Sequence, residues 1–176
     1  MEVINSPSKT LSKKGWLDYL YYKEGKQQTN FFVCGTYIKN GQIGFTKWKT
    51  YLDAVAVIDM LNHSESFEDR NYFDNINQRQ ILPNEIVLDI EDPKDLNPIL
   101  DTIKIWGWKE YFVFKTGSKG YHIHLFFNRD MTIEEKEAVV KKLGTDIQKC
   151  SEKNLIALEY QPHWRTGKLK EEIKHE

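Results

Sequence analysis

The clearest chemical signal in the sequence is a pair of carboxylates inside a hydrophobic run. Asp89 and Glu91 are separated by one residue in the run EIVLDIE. In a β-strand, side chains two residues apart point to the same face, with Cα atoms about 7 Å apart, so both carboxylates can converge on metal ions. Their oxygens suit Mg²⁺ or Mn²⁺, and two such ions can assist a phosphoryl transfer. On its own, the pair is also typical of a solvent-facing strand end.

A second candidate feature is a turn with two glycines that leads into a strand with two histidines. The segment GSKGYHIHLF runs from Gly117 to Phe126. Backbone N–H groups of such a turn can bind phosphate, and Lys119 and His122 would add positive charge. The same pattern is typical of a β-hairpin turn. His122 and His124 are interpreted as a phosphate contact with a supporting residue, as a metal-binding His-x-His pair, or as a surface histidine pair on an exposed strand.

A third feature is an acidic strand that is followed by a basic segment. Glu159 lies near the end of the run NLIALEY, and the next residues are QPHWRTGKLK. Arg165 and Lys168 in this segment can hold phosphates while Trp164 stacks on a base. A solvated basic loop with one packed tryptophan is an equally acceptable interpretation.

The elements that must position these residues follow the order β-α-β-β-α-β. Hydrophobic periodicity predicts four strands and two helices, and a capping box formed by Thr132 and Glu135 opens the second helix. The predicted strands are residues 85–91, 111–115, 121–127 and 154–160, and the predicted helices are residues 93–106 and 132–150. This is the order of the ferredoxin-like, RNA-recognition-like α+β fold.

In that fold both helices pack on one face of the sheet, and the other face is open. The first and third strands lie side by side at the centre, and the fourth strand pairs beside the first. Alternation along the first strand turns Ile86, Leu88 and Ile90 toward the helices. The side chains expected together on the open face are Asp89, Glu91, His122, His124 and Glu159.

The first half of the chain is predicted to be a smaller α/β module. A β-branched and aromatic run predicts a strand at residues 30–38, and a Lys-Asn-Gly sequence at 39–41 predicts a turn. Apolar residues at helical spacing predict a helix at residues 50–61, and the polar, acidic residues 62–80 mark a soft boundary. The predicted parts are an N-terminal α/β module, residues 1–80, and an RNA-recognition-like palm, residues 81–176, within one compact domain.

Length and composition exclude several classes of protein. The chain has 176 residues, of which 40% are hydrophobic and 29% are charged, so wholesale disorder is excluded. The formal net charge of −1 excludes a uniformly basic nucleic-acid coat. Two cysteines cannot form a zinc finger or a disulfide framework, and no apolar run approaches the roughly 20 residues of a membrane span. We therefore expect a soluble, cytoplasmic protein without a membrane partner.

Together, the three features resemble the motifs of the archaeo-eukaryotic primase superfamily, the catalytic domains of primases and primase-polymerases. The first motif, hydrophobic-Asp-hydrophobic-Asp/Glu, is matched by residues 88–91. The second, a turn of a small residue and glycine that runs into a histidine strand, is matched by residues 118–123. The third, hydrophobic-Asp/Glu, is matched by Leu158 and Glu159. Glu91 departs from the commoner Asp, and the sequence has no zinc-binding cysteine cluster.

The resemblance implies a template-dependent nucleotidyltransferase, a DNA primase or primase-polymerase that joins NTPs or dNTPs on a single-stranded DNA template. It implies Mg²⁺ or Mn²⁺ as cofactors, with metal ligands at Asp89, Glu91 and Glu159. His122 completes the implied catalytic set, and the implied nucleotide contacts are Ser118, Lys119, Gly120, His122, Arg165 and Lys168. A helicase or a large primase subunit is the kind of partner protein that the resemblance suggests.

Two other functions compete with this interpretation. A rolling-circle replication endonuclease also has a His-x-His strand on a ferredoxin-like palm, but it needs a tyrosine nucleophile on the following helix. The predicted helix at residues 132–150 contains no tyrosine. A non-enzymatic RNA-recognition-type binder stacks bases on aromatic residues of its central strands. Here Asp89 and Glu91 are expected on that face instead, and without a metal ion they repel phosphate.

Overall fold

The computed structural model describes residues 13–23, 26–27, 32–45, 49–50, 77–144, 155–163 and 165–173. Within these ranges the structure is mixed α+β, and its sheets are antiparallel. The helices are α1 (Lys13–Tyr21), α2 (Leu96–Ile105) and α3 (Ile133–Leu143), and a 3₁₀ turn (Pro93–Asp95) precedes α2. The strands are β1 (Tyr22–Lys23), β2 (Lys26–Gln27), β3 (Phe32–Cys34), β4 (Thr36–Lys39), β5 (Gln42–Phe45), β6 (Lys49–Thr50), β7 (Gln78–Gln80), β8 (Glu85–Ile90), β9 (Tyr111–Lys115), β10 (Tyr121–Phe126), β11 (Leu155–Ala157) and β12 (Glu171–Glu172).

Four strands form one sheet, called here the site sheet, in the order β12-β9-β10-β8. Strand β10 lies between β8 and β9 and pairs antiparallel with both. Its register sets His122 opposite Asp89 and His124 opposite Val87. Directly opposite residues share a face of the sheet. The predicted side-by-side arrangement of the first and third strands is therefore confirmed, and with it the placement of Asp89 and His122 on one face.

A second sheet has the strand order β11-β7-β3-β6. The last predicted strand, observed as β11, pairs in this sheet with β7, so its predicted place beside the first strand is wrong. Strand β7 lies in the polar, acidic segment 62–80, for which no strand was predicted. Its three residues are all polar, so the sequence lacks the alternation that predicts a strand. Because β11 pairs with residues 78–80, a strand of the predicted palm joins a sheet of the predicted N-terminal module.

One face of the site sheet packs on α2 and α3, as the alternation predicts. The sheet contributes Ile86, Leu88, Ile90, Val113, Ile123 and Leu125 to this core, and the helices contribute Leu96, Leu100, Ile103, Val140 and Leu143. The predicted capping box is confirmed: the Thr132 hydroxyl accepts a hydrogen bond from the Glu135 backbone N–H. Helix α3 ends earlier than predicted, where Gly144 adopts φ 70°. Residues 145–150 lie outside the described residues.

The opposite face of the site sheet is covered over most of its area, and the expectation of an open face is wrong there. Helix α1 lies on this face and buries Trp16 completely. The Trp16 ring lies 5.0 Å from the rings of Phe112 and Phe114 and 5.9 Å from the ring of His124. No helix was predicted at residues 16–21, whose buried apolar side chains cluster on one side of this short helix.

The N-terminal predictions have mixed outcomes. The predicted strand at residues 30–38 is two strands, β3 and β4, separated by Gly35. The predicted turn is confirmed as the tight connection between β4 and β5, with Asn40 and Gly41 at φ 52° and 74°. Apart from Thr50, the predicted helix at 50–61 lies outside the described residues. Across the described ranges, the helices are too short or too polar to span a membrane.

Candidate functional site

Asp89 and His122 form the centre of the candidate site. They lie opposite each other on β8 and β10, and His122 Nε2 is 3.5 Å from Asp89 Oδ1. The His122 side chain is 9% exposed and that of Asp89 is 26% exposed. Burial, followed by the positive charge of Lys170, lowers the pKa of His122 to about 3. His122 is therefore neutral at physiological pH, and its buried Nδ1 has no hydrogen-bond partner among the residues that the structure describes.

The glycine turn, residues 116–120, packs against the end of β8. Gly120 has φ 73°, and a Cβ atom at this position would lie 1.8 Å from the carbonyl oxygen of Ile90. Only glycine fits here, because the turn lies directly on the backbone that carries Asp89 and Glu91. The Thr116 hydroxyl donates a hydrogen bond of 2.7 Å to the carbonyl oxygen of Lys119 and so closes the turn.

The basic loop, described at residues 161–163 and 165–169, is closed by an antiparallel bridge between Pro162 and Leu169. The His163 backbone N–H donates to the Lys168 carbonyl at 2.8 Å, and the Gly167 N–H donates to the His163 carbonyl at 2.8 Å. The His163 Nδ1 also accepts hydrogen bonds from the backbone N–H groups of residues 165 and 166 at 3.1 and 3.3 Å. Partial burial and the charge of Arg165 lower the pKa of His163, which favours this acceptor form.

The basic loop docks on the glycine turn. The Thr166 hydroxyl donates a hydrogen bond to the carbonyl oxygen of Gly117. A Cβ atom on Gly117 would lie 2.3 Å from the Lys168 carbonyl oxygen and 2.7 Å from the His163 Cβ, so the two segments are in backbone contact. The structure thus brings together the predicted nucleotide contacts on the turn and the loop, of which the exposed ones are Ser118, Lys119, Arg165 and Lys168. Trp164, the predicted base-stacking residue, lies outside the described residues.

Glu159 lies elsewhere, in a buried charge cluster between the two sheets. Its carboxylate accepts a hydrogen bond of 2.9 Å from Arg79 Nε. Arg79 also contacts Glu85, with 2.6 Å between Nη2 and Oε2. All three side chains are fully buried. The complete charge cluster consists of Arg79, Glu85, His124, Glu159 and Lys170.

His124 is the neutral member of the charge cluster. Its Nδ1 lies 2.8 Å from Glu85 Oε2, so Nδ1 carries the proton and donates to that carboxylate. Its Nε2 then accepts from Lys170 Nζ at 3.2 Å. Burial and the charge of Lys170 lower the pKa of His124 to about 4. Burial alone would raise the pKa of Glu85, but Arg79 holds it at about 2. Two cations therefore balance two anions, which is the condition for burying such charges.

The expected metal ligands are placed in two different environments. Asp89 and Glu91 lie at the solvent-accessible end of β8 and supply the oxygen atoms that Mg²⁺ or Mn²⁺ prefers. The structure does not bring Glu159 to them, because Arg79 and Lys170 bind its carboxylate. In the described part of the chain, no three His, Cys, Asp or Glu side chains are arranged to hold a metal ion. The donor set thus fits a metal in part, and the role of Glu159 as a ligand stays a prediction.

A cleft of about 610 Å³ opens beside the two accessible carboxylates. This volume is typical of small-molecule sites. Its lining is acidic near β8 and apolar toward the helices, and consists of Asp89, Ile90, Glu91, Asp92, Asp95, Pro98, Ile99, Leu143 and Gly144. The cleft gives a ligand access to the strand end that carries Asp89 and Glu91.

Sequence reasoning missed the cations of the charge cluster. Arg79 lies in the polar strand β7, and Lys170 ends a segment that resembles an ordinary basic loop. Glu85 was detectable, since it has the same parity along β8 as Asp89 and so faces the same side. No local pattern, however, predicts that residues so far apart in the chain bury their charges together.

Comparison with known proteins finds no sequence match but a similarity in structure. No protein-family model matches the sequence, and no curated protein matches it. Among solved structures, the chain is similar to the AEP domain of the cyanophage S-2L primase-polymerase, at 15% sequence identity and a TM-score of 0.49. The similar region covers 82% of this chain and 80% of that one. A likeness of this size does not establish a family or an activity.

Proposed function

We propose that this chain is a template-dependent nucleotidyltransferase of the primase or primase-polymerase type. It would join NTPs or dNTPs on a single-stranded DNA template. The observation that carries the proposal is the juxtaposition of Asp89 and His122, 3.5 Å apart, where the glycine turn meets the end of β8. The primase-like order of the sequence motifs supports it independently.

Each part of the site has a role in the proposed reaction. The glycine turn and its Lys119 would bind the phosphates of the incoming nucleotide. Arg165 and Lys168, on the loop that contacts this turn, would bind nucleotide or template phosphates. The Nδ1 of the neutral His122, which has no partner among the described residues, would donate to a phosphate oxygen in the tautomer that protonates this nitrogen, and in that tautomer Nε2 has no proton to share with Asp89, 3.5 Å away.

The accessible carboxylates suit the metal ions that such a reaction uses. Divalent ions neutralise charge on the phosphates and lower the pKa of the attacking hydroxyl. Asp89 and Glu91 are the proposed ligands for Mg²⁺ or Mn²⁺. Glu159 would join them only by exchanging its contacts with Arg79 and Lys170 for a metal. A helicase or a large primase subunit would be the corresponding partner protein.

The geometry favours this function over both alternatives. The endonuclease needs two histidines that share a metal ion, but both ring nitrogens of His124 already contact protein groups, Glu85 and Lys170 among them. The RNA-recognition-type binder needs exposed aromatic residues on the central strands. Phe112 and Phe114 lie on that face, but both are buried against Trp16 of α1 and cannot stack on a base.

The test is nucleotide incorporation on a single-stranded DNA template, with and without a primer, in Mg²⁺ and in Mn²⁺. The wild-type chain should give product, and Asp89→Ala should reduce the rate by at least about a thousandfold, the size expected when a group that acts on the transition state is removed. Asp101→Ala, an exposed carboxylate on α2, is the matched control and should keep wild-type activity.

The pattern of products separates the subclasses. Product without a primer indicates a primase, and product only with a primer indicates a polymerase that does not initiate. Near-wild-type activity of a folded Asp89→Ala would contradict the site assignment. A folded wild-type chain that makes no product in any condition would contradict the proposed function, and a covalent tyrosyl–DNA adduct would then favour the endonuclease.

A further inference from the structure

Lys170 is a buried cation that joins three separate parts of the chain. Its side chain is 1% exposed. The ammonium group donates to the Ala157 carbonyl on β11 at 3.0 Å, lies 3.2 Å from His124 Nε2 on β10, and lies 3.2 Å from Glu159 Oε1. One nitrogen therefore makes three contacts, which is the full donor capacity of an ammonium group.

The backbone of Lys170 closes the base of the basic loop. Its N–H donates to the Gln161 carbonyl at 3.2 Å, and its carbonyl accepts from the Tyr160 N–H at 2.8 Å. The Lys170 ammonium also lies 5.5 Å from the centre of the Phe114 ring, and Phe114 is the residue opposite His122. The same residue thus ends the loop that carries Arg165 and Lys168 and contacts the strand that carries His122.

We propose that Lys170 is a positioning residue, which anchors the basic loop to the histidine strand so that the loop stays docked on the glycine turn. Docking depends on a close backbone fit, because Gly117 leaves no room for a Cβ atom against the Lys168 carbonyl. A loop with a loose base would lose this fit and with it the alignment of its two cations. The consequence for nucleotide binding rests on the proposed function, whereas the effect on the loop does not.

The test compares two methionine variants of buried lysines. Lys136, like Lys170, is 1% exposed and donates to a backbone carbonyl, that of Leu82, at 2.9 Å. Amide hydrogen exchange is measured by NMR at Tyr160, His163, Gly167 and Lys170, whose N–H groups close the loop. Lys170→Met should raise exchange at these amides at least tenfold over Lys136→Met, while exchange in β8 and β10 stays equal in the two variants. Equal exchange in the loop would overturn the proposal.

Lys170→Arg is the second variant, because Lys170→Met leaves an unbalanced negative charge in the cluster, and such a charge can unfold the chain. Arginine keeps the charge but cannot place three contacts on one nitrogen at this position. The expected result is a smaller rise, about threefold, confined to the same amides. Wild-type exchange in Lys170→Arg would overturn the proposal where Lys170→Met does not fold.

Activity then separates this inference from the proposed function. In an active wild-type enzyme, Lys170→Met should raise the nucleotide KM about tenfold with little change in kcat, and Lys136→Met should leave KM unchanged. A loosened loop with an unchanged KM would overturn the positioning role while the nucleotidyltransferase stands. A loosened loop in a chain without any activity would support the anchor and contradict the proposed function.

Discussion

His122 and His124 lie two residues apart on β10 and point to the same face, but the two ends of that strand differ in how their polar groups are satisfied. At the buried end, both ring nitrogens of His124 contact charged partners, and the four charges around it cancel. At the accessible end, His122 Nδ1 is buried without a partner in the described part of the chain, and Asp89 remains partly exposed to solvent. Histidine thus serves two purposes on β10: His124 is part of the buried charge cluster, and His122 lies beside the accessible Asp89.

The difference follows from the cost of desolvation. An unpartnered buried nitrogen destabilises the fold unless a ligand or water later satisfies it. A fully paired cluster adds no binding capacity, but removal of one member leaves an uncompensated charge. The end of β10 with an unsatisfied hydrogen-bonding nitrogen, at His122, is therefore the end suited to a ligand. The end where both ring nitrogens are satisfied, at His124, joins the two sheets.

The largest expected effect is at the buried end. Arg79→Met removes the cation that binds both carboxylates and leaves a net buried negative charge, so the free energy of unfolding should fall by about 3–5 kcal/mol. The control is Arg129→Met, which removes a solvent-exposed pair with Glu135 and should leave the free energy of unfolding nearly unchanged. Urea unfolding measures both. Similar losses of unfolding free energy in the two variants would contradict a special role of the buried charge cluster in stability.

The next effect concerns pH. His124 has a pKa of about 4 in the folded chain and an ordinary value of 6.5 in the unfolded chain. The unfolded chain thus binds a proton in this window that the folded chain does not bind. The free energy of unfolding should therefore fall as the pH drops from 6.5 to 4, by up to about 3 kcal/mol from this residue. His122, with its pKa of about 3, adds to the same trend.

Glutamine at position 124 isolates this contribution. Its amide can donate to Glu85 and accept from Lys170, but it does not titrate. His124→Gln should therefore flatten the dependence of urea-unfolding free energy on pH between 6.5 and 4, with the contributions of His122 and His163, whose pKa values are also lowered, remaining. Glu85 does not obscure the result, because its pKa of about 2 confines its loss of stabilisation largely to lower pH. An unchanged slope in the variant would show that His124 is not the titrating group.

The smallest expected effect is at the accessible end. His122→Ala removes a side chain whose Nδ1 has no partner among the described residues and whose Nε2 lies 3.5 Å from the partly exposed Asp89, so little stability should be lost through hydrogen bonding. The nucleotide KM should rise about tenfold, equivalent to about 1.4 kcal/mol of binding. Steady-state kinetics and thermal unfolding on the same sample measure both quantities. An unchanged KM in the active enzyme would exclude His122 from the nucleotide site.

Local patterns were sufficient to predict the parts of the site that depend on neighbouring residues. Alternation in β8 and β10 predicted the shared face of Asp89 and His122, and the capping box predicted the start of α3. Long-range pairing was not predictable in this way. The choice of β7 as partner for β11, and the burial of Arg79 between carboxylates 6 and 80 residues away, depend on contacts that no local segment contains.

The electroneutrality of the buried charge cluster affects how the protein responds to ionic strength. At 0.1 M, dissolved salt largely screens interactions between solvent-exposed charges that lie more than about 10 Å apart. It has little effect on charges that are buried between two sheets. Lys119, Arg165 and Lys168 are exposed, whereas Arg79 and Lys170 are not. Added salt should therefore weaken the attraction of the outer cations for a polyanion and leave the resistance to unfolding nearly constant. Ionic strength can thus be used to adjust affinity in this protein independently of its stability.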